Sequence, residues 1–336
     1  MVDSPVHCTI DLDGDGKQVG RLEVPRSTNT SGWSHQFVPI VSIRGGGGPT
    51  AVVFGGVHGD EPEGQVAALR LARDTEPGDL PGRIIVVPVA SPEASQAYTR
   101  LWPSGANLNR SFPGSPDGPP DQQLADFITR FLIARADIVV DMHSGGRGSI
   151  CPPWSEMHLV DDAEQRRRMV DGMLAWNTDF HFVYIDVAGS GLLVGEAERQ
   201  GKVVVSTELG GGGQVTAATH RVAQSGLANV LRHFGVLDGE AVTRDGPRTI
   251  ARATEDECYV FAPESGLWET FVDVTERVEE GQPLGQLHFI ERPDRAPEVV
   301  TAAMAGVVCS IRAIATTTQG DKLAVVGREV RAEDLL

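Results

Sequence analysis

The chain of 336 residues contains 29 lysine and arginine residues against 46 aspartate and glutamate residues, which gives a formal net charge of −17 at pH 7. This acidity argues against binding to nucleic acids or to anionic membranes, because both partners require a basic patch. No apolar stretch approaches the length of a membrane helix, which is roughly 18 residues. The first residues also lack a secretory-signal pattern, so we expect a cytoplasmic globular protein.

An N-terminal β-hairpin is predicted for residues 6–24, because apolar and polar residues alternate on both sides of a turn rich in aspartate and glycine. Four residues in this turn match the opening of a calcium-binding loop: Asp11, Asp13, Asp15 and Gly16. Leu22 stands where that loop has a glutamate, and no helical pattern flanks the segment, so a plain turn is the better interpretation. The glycine run at 45–48 lacks the lysine of a phosphate-binding loop and is also interpreted as a turn.

From residue 50 to about residue 237, apolar runs alternate with segments of helical periodicity, which is the pattern of an α/β sheet with partly parallel strands. The predicted strands are residues 51–54, 83–89, 138–142 and 203–207. The predicted helices are residues 63–74, 122–135, 162–176 and 216–234. His58, His143 and Glu208 each follow the carboxyl end of a predicted strand. Open α/β sheets bind their ligands at that edge, so we expect a functional site there.

A second, smaller domain is predicted for residues 240–336, where short β-rich segments and turns replace the helical pattern, and residues 1–239 then form the main domain. A weak internal repeat in this part resembles the barrel-sandwich fold of biotinyl and lipoyl carrier domains. Those carriers attach their cofactor to a hairpin lysine, whereas the matching stretch here is Asp294, Arg295 and Ala296. Because arginine cannot be lipoylated, we expect this domain to cover or shape the active site.

His58 and Glu61 lie three positions apart in the glycine-lined segment GGVHGDEPEG, and His143 follows an apolar run in DMHSGG. A single histidine is more often a structural residue than a ligand. Together, however, these three residues can form a His, Glu, His triad that leaves zinc one open position, and Glu208 in STELGGGG ends a further strand nearby. Imidazole and carboxylate ligands suit zinc better than magnesium or calcium, while Mn²⁺, Co²⁺ and Fe²⁺ remain alternatives.

The four cysteines are too widely spaced to form a C-x-x-C pair. They are Cys8, Cys151, Cys258 and Cys309. This spacing argues against a disulfide framework and against a cysteine zinc site, so the metal prediction depends on the histidines and the carboxylate.

Four motifs in order, GGVHGDEPEG, TRLWPSGANLNRSFPG, DMHSGG and STELGGGG, resemble the succinylglutamate desuccinylase and aspartoacylase family, which belongs to the zinc carboxypeptidase fold group. The resemblance extends over nearly the whole chain, because a barrel-like C-terminal part is also a family feature. It implies a mixed α/β sheet flanked by helices, a smaller C-terminal β barrel-sandwich-like domain, and one zinc ion per chain held by His58, Glu61 and His143.

The resemblance also implies roles for four further residues. Glu208 would accept a proton from the attacking water and return it to the leaving amine, and Arg100 would stabilise the oxyanion. Asn109 and Arg110 would hold the α-carboxylate of the substrate, for which arginine offers two parallel hydrogen bonds; the alternative for Arg110 is a solvated loop residue. Asp141, two residues before His143 on the same strand face, either orients the site or forms a structural salt bridge.

The implied activity is zinc-dependent hydrolysis of the amide of a small N-acyl amino acid. The HSGG and STELGGGG motifs and the N-terminal hairpin favour the family branch that deacetylates N-alpha-acetyl-L-2,4-diaminobutyrate in ectoine degradation. N-acetylaspartate and N-succinylglutamate are alternative substrates that should require an additional cation near the site, and a non-catalytic zinc-binding protein and a peptidase are further alternatives. The residue that binds the substrate ammonium cannot be chosen among 46 acidic residues, and a homo-oligomer is possible.

Overall fold

The computed structural model describes residues 4–185, 189–243 and 246–336. Its strands are β1 (His7–Cys8), β2 (Gly16–Thr28), β3 (Ser31–Arg44), β4 (Thr50–Gly55), β5 (Arg83–Val87), β6 (Ile138–His143), β7 (Ser149–Ile150), β8 (Trp154–His158), β9 (Phe180–Tyr184), β10 (Val203–Glu208), β11 (Thr249–Ala253), β12 (Tyr259–Phe261), β13 (Gly266–Thr270), β14 (Arg277–Val278), β15 (Pro283–His288), β16 (Glu298–Thr301), β17 (Gly306–Arg312), β18 (Thr316–Thr317) and β19 (Lys322–Val330). Its α-helices are α1 (Pro62–Asp74), α2 (Pro92–Ala97), α3 (Pro120–Phe127), α4 (Ala163–Ala175), α5 (Leu193–Arg199) and α6 (Ala217–His233).

A large mixed sheet forms the centre of the molecule, in the order β1-β2-β3-β5-β4-β6-β10-β8-β9-β11-β19-β17-β14. Strands β5, β4, β6 and β10 are parallel to one another, whereas β8 joins β10 in antiparallel orientation. Strands β4, β6 and β10 consist of apolar runs that are buried along nearly their whole length, as expected for parallel strands covered by packed helices. Helix α1 packs on β4, and α4 and α5 pack on β10. The predicted α/β class with a helix-flanked mixed sheet is confirmed.

The predicted strands agree closely with the observed ones, and β6 and β10 each extend far enough to include His143 and Glu208 as their last residues. The predicted helix at 122–135 is interrupted: α3 ends at Phe127, and the chain continues through a π turn and a 3₁₀ turn. Between residues 50 and 237, the strands β7, β8 and β9 and the helices α2 and α5 were not predicted from the sequence.

The N-terminal hairpin differs from its prediction in extent. The pairing expected within residues 6–24 is limited to His7 with Glu23 and Cys8 with Leu22. The long partner of β2 is β3, and these two strands pair from Gly16 to Thr28. The aspartate-rich turn is present, and Asp13 donates its backbone N–H to Asp11 Oδ1 over 3.0 Å.

The C-terminal segment adds strands to the large sheet and also builds a separate antiparallel sheet, in the order β16-β15-β13-β18. Its apolar side chains pack in a cluster that includes Trp154, Phe180 and Phe182 from β8 and β9. The large sheet crosses the predicted boundary at residue 240, because β11 pairs with β9 on one side and with β19 on the other. The C-terminal segment is therefore joined to the α/β part by both backbone pairing and a common core. No helix in the described part of the chain is long and apolar enough to cross a membrane.

Candidate metal centre and active-site cavity

The loop between β4 and α1 positions His58 and Glu61, and it needs glycine at its tightest point. A Cβ atom at Gly59 would lie 2.1 Å from the backbone carbon of Ala94 in α2, so no side chain fits there. Glu61 immediately precedes the first residue of α1, Pro62. The loop therefore directs both side chains toward the end of β6, where His143 lies.

His58, Glu61 and His143 form a buried cluster in which both histidines face the same carboxylate. His58 Nδ1 lies 2.8 Å from Glu61 Oε1, and His143 Nδ1 lies 2.7 Å from Glu61 Oε2. The three side chains can each offer one ligand atom, and these atoms lie within 4.8 Å of one another. Their exposed fractions are 2%, 1% and 6%. The structure thus brings the three predicted ligands together, and two imidazole nitrogens with one carboxylate form a donor set that fits zinc.

The second nitrogen of each imidazole is also bonded. His143 Nε2 lies 3.0 Å from Asp141 Oδ2, and His58 Nε2 lies 3.2 Å from Asn107 Oδ1. Both Nε2 neighbours are oxygens that can accept a hydrogen, so each imidazole would carry its hydrogen on Nε2 when Nδ1 binds a metal ion. Of the two roles left open for Asp141, the contact with His143 supports orientation of the site. Within the described residues, Asp141 forms no ion pair with an arginine.

Opposing effects determine the charge of the two glutamates near the cluster. Burial disfavours an ionised Glu61, but the facing imidazoles of His58 and His143 outweigh it and hold the pKa of this carboxyl well below its usual value. Burial and the negative charges of Glu61 and Glu156 raise the pKa of Glu208 well above its usual value. A raised pKa suits a group that must both accept and donate a proton.

Glu208 ends β10 directly opposite His143 at the end of β6, because the two residues are register partners in parallel strands. Its Oε2 atom is shielded from solvent and has no hydrogen-bond partner among the described residues. Buried carboxylate oxygens are almost always hydrogen-bonded, so this atom is available to a water molecule or substrate.

Arg100 and Arg110 lie at the rim of the same region. Arg100 Nη1 donates to Glu61 Oε1 over 3.0 Å, and about half of the Arg100 side chain is exposed. Arg110 Nη1 donates to the carbonyl oxygen of Asn109 over 2.6 Å. The Asn109 amide is buried, accepts the backbone N–H of Leu193 and lies 3.4 Å from His143 Nε2. Asn109 is therefore next to the metal cluster, and Arg110 lines the same cavity.

A cavity of about 450 Å³ opens at this end of the sheet and is lined by six of the seven predicted site residues. Glu61, whose carboxylate contacts both histidines, is not part of the lining. The C-terminal segment contributes Tyr259, Ser310, Arg312, Lys322 and Val325 to the wall. This agrees with the expectation that the C-terminal part shapes the site.

The observation that decides the family is the match of residues 47–234, more than half of the chain, to the succinylglutamate desuccinylase/aspartoacylase catalytic domain. The chain belongs to this family. The matched residues include the whole metal cluster, Glu208 and the loop that carries Arg100 and Arg110.

The alignments of this family member with similar proteins extend over almost the whole chain. It is 37% identical over 330 residues to the N-alpha-acetyl-L-2,4-diaminobutyric acid deacetylase of Halomonas elongata, with 98% of this chain and 96% of that protein covered. The product-bound ectoine utilization protein EutE (DoeB) from Ruegeria pomeroyi has a TM-score of 0.93 at 36% identity, with 98% and 100% covered. A succinylglutamate desuccinylase/aspartoacylase from Rhodobacter sphaeroides has a TM-score of 0.92 at 37% identity, with 98% and 100% covered.

Four charged residues that line the cavity of this aspartoacylase-family chain were not predicted from the sequence, namely Asp60, Glu156, Arg312 and Lys322. Lys322 Nζ donates to Ser149 Oγ and Ser310 Oγ, both over 2.9 Å, and burial lowers its pKa. Glu156 lies in the unpredicted strand β8 and lines the same cavity. The scarcity of lysine, with only three in the chain, was the one signal that could have drawn attention to Lys322.

Proposed function

We propose that the protein is a zinc-dependent deacetylase that hydrolyses N-alpha-acetyl-L-2,4-diaminobutyrate to acetate and 2,4-diaminobutyrate. The observation that carries the proposal is the convergence of a His, Glu, His cluster and Glu208 at two adjacent strand ends in one cavity. Family membership and the relative from Halomonas elongata support the choice of reaction and substrate. A cavity of about 450 Å³ suits a single small amino acid better than a peptide.

His58 and His143, through their Nδ1 atoms, and Glu61, through its carboxylate, are the residues that would hold the zinc ion. When bound there, zinc would act as a Lewis acid toward water and toward the acyl carbonyl group. Asp141 and Asn107 fix the histidines in the tautomer that this binding needs.

Glu208 would move the proton. Its unpartnered Oε2 can accept a proton from the attacking water and then donate it to the amine nitrogen as the amide bond breaks. The raised pKa favours the first step, because a more basic carboxylate accepts a proton more readily.

The arginines and Asn109 would bind the charged parts of the substrate. Arg100 presents a guanidinium group at the edge of the cluster, where it can donate to the carbonyl oxygen as that oxygen becomes negative. Arg110 and Asn109 lie together in the 3₁₀ turn Leu108–Arg110 and would hold the α-carboxylate.

The second candidate substrates are N-acetylaspartate and N-succinylglutamate, which the positive charges in the cavity wall would favour. These compounds need an additional cation near the site, and Lys322 and Arg312 both line the cavity. Arg312, however, is paired with Asp321 over 2.9 Å. Lys322 is bonded to two hydroxyl groups, so neither cation is without a partner in the protein itself.

An acetate- and succinate-release assay tests the proposal. The zinc-loaded chain is given N-alpha-acetyl-L-2,4-diaminobutyrate, its N-gamma isomer, N-acetylaspartate and N-succinylglutamate, and the kcat/KM values are compared. We expect the first compound to be preferred, and metal analysis of the purified protein to find one zinc per chain. A preference for either of the last two compounds would refute the substrate assignment. Absence of bound metal from active protein would refute the mechanism.

A further inference from the structure

The sheet register places an acidic side chain beside the metal cluster on the same face. Ser206 of β10 pairs with Asp141 of β6 on one side and with Glu156 of β8 on the other. Glu208 similarly pairs with His143 and with Trp154. Because side chains alternate between the two faces of a strand, both rows project from the face that carries the metal cluster.

Glu156 is the diagonal neighbour of Glu208, at about 7 to 8 Å between Cα atoms. In a 2,4-diamino acid the side-chain nitrogen is four bonds from the α-nitrogen, which separates the two nitrogens by about 5 Å at most. If the α-amide nitrogen of such a substrate lies near Glu208, its side-chain nitrogen can therefore lie near Glu156.

The Glu156 carboxylate is 5% exposed, lines the cavity and is held by two donors. Trp154 Nε1 donates to Oε2 over 2.7 Å, and Ser206 Oγ donates to Oε1 over 3.3 Å. In the described ranges, no lysine, arginine or histidine nitrogen lies within 4 Å of it. A buried carboxylate without a counter-charge is unfavourable, and a cationic ligand would remove that cost.

Aromatic rings line the cavity around this carboxylate. The ring centroids of Trp154 and Phe182 are 4.8 Å apart, and those of Phe182 and Tyr184 are 5.7 Å apart. Aromatic faces attract ammonium groups and also bind the methylene groups next to them. A carboxylate on the substrate side chain would instead meet the acidic side chain of Glu156.

Lys322 is a buried cation that also lines the cavity, but it does not pair with Glu156. Lys322 is anchored by Ser149 and Ser310, and the nearby groups that act on its charge most strongly include Cys151 and Glu208. Burial raises the pKa of Glu156, and the histidines whose positive charge opposes this shift are His143 and His158. His158 is itself paired with Glu198 over 2.9 Å.

We propose that Glu156, with Trp154, Phe182 and Tyr184, binds the side-chain ammonium of a diamino acid substrate and selects it over uncharged and acidic side chains. This inference rests on the proposed deacetylase function and assigns its specificity to a particular group.

The test compares the wild type with Glu156→Gln on two substrates, as full-length zinc-loaded proteins. The substrates are N-alpha-acetyl-L-2,4-diaminobutyrate and N-alpha-acetyl-L-2-aminobutyrate, which has the same carbon skeleton without the ammonium group. We expect the ratio of their kcat/KM values to fall by about 10- to 100-fold in the variant, mainly through a higher KM for the diamino compound. Glu198→Gln is the matched control, because Glu198 is a shielded carboxylate outside the cavity lining, and its ratio should stay at the wild-type value.

An unchanged ratio in Glu156→Gln would overturn the inference, whether both kcat/KM values stay at the wild-type level or both fall by the same factor; an equal fall would indicate a structural role. If Glu156→Gln does not fold, Glu156→Asp keeps the charge but withdraws it from the ammonium, and it should lower the same ratio by a smaller factor; an unchanged ratio there also refutes the inference. Failure of the proposed function is distinguishable, because the wild type itself would then not release acetate from the diamino compound.

Discussion

The hydrogen bond between Asp141 and His143 provides a quantitative test of the metal centre. Asp141 is completely buried, and its Oδ2 accepts a hydrogen from His143 Nε2 over 3.0 Å. The substitution Asp141→Asn keeps the size of the side chain but removes its charge. The histidine is then held less firmly in the tautomer whose Nδ1 faces Glu61, so its binding to zinc should weaken.

The size of the effect follows from the strength of the bond. A hydrogen bond to a charged group contributes about 1.5 to 3 kcal/mol, and each 1.4 kcal/mol is about a factor of ten in an equilibrium constant. The asparagine oxygen can still accept the hydrogen, so we expect the lower part of that range, about 10-fold weaker zinc binding. Replacement by alanine should weaken it by about 100-fold.

The assay is a zinc titration in competition with a chelator of known affinity. Asp137→Asn is the matched control, because Asp137 Oδ2 accepts the backbone N–H of Thr50 over 2.8 Å, just before the opposite end of β6. This control should lower the free energy of unfolding and leave the zinc affinity unchanged. Equal zinc affinities in the wild type and Asp141→Asn would refute the assignment of Asp141 as the orienting group.

Three further predictions concern catalysis, folding and acid stability. Glu208→Gln should lower kcat by about 10²- to 10⁴-fold while one zinc per chain remains bound, because the variant lacks the proton acceptor; undiminished turnover would contradict this. Gly59→Ala should destabilise the fold by about 1 to 3 kcal/mol in denaturant unfolding, since its Cβ would collide with the α2 backbone; an unchanged midpoint would argue against the tight turn. Hydrogen bonds from Arg135 and Arg83 lower the pKa of Asp13 to about 2, so Asp13 stabilises the protein above about pH 4 and this contribution is lost as the pH falls toward 2. The difference in unfolding free energy between wild type and Asp13→Asn should be about 1 kcal/mol or less, because Asp13 is largely exposed, and it should disappear near pH 2; a difference that persists there would contradict the assignment.

The features that could be predicted from the sequence are those encoded locally. The apolar runs of β4, β6 and β10 identify buried parallel strands, and the position of His143 and Glu208 directly after such runs places them at one sheet edge. His58 and Glu61 lie in one short loop. Prediction of the metal cluster therefore required only one contact between distant parts of the chain, the contact of this loop with His143.

The rest of the cavity depends on long-range pairing that no local pattern reveals. Strand β8 reads WSEMH, and its polar residues interrupt the apolar run that identifies the other central strands. One of these polar residues, Glu156, lines the cavity, so the polarity that suits Glu156 to the cavity also hides its strand from sequence analysis. Lys322 reaches the cavity because β19 pairs with β17, which in turn pairs with Ser149 and Ile150 of β7. The π turn after α3 has no corresponding sequence signal, since the apolar periodicity continues through it.

The continuous sheet limits how the substrate can enter. Strand β19 pairs with β11 through Ile250, Ala251 and Arg252, and β11 pairs with β9 along its whole length. Swinging the C-terminal segment away as a lid would therefore break the backbone ladder on one side of β11, so entry and release must depend on smaller movements of side chains and loops at the rim. For the same reason, a chain truncated after residue 239 would leave β9 as an unpaired edge with Phe180 and Phe182 uncovered, which is a surface that favours aggregation.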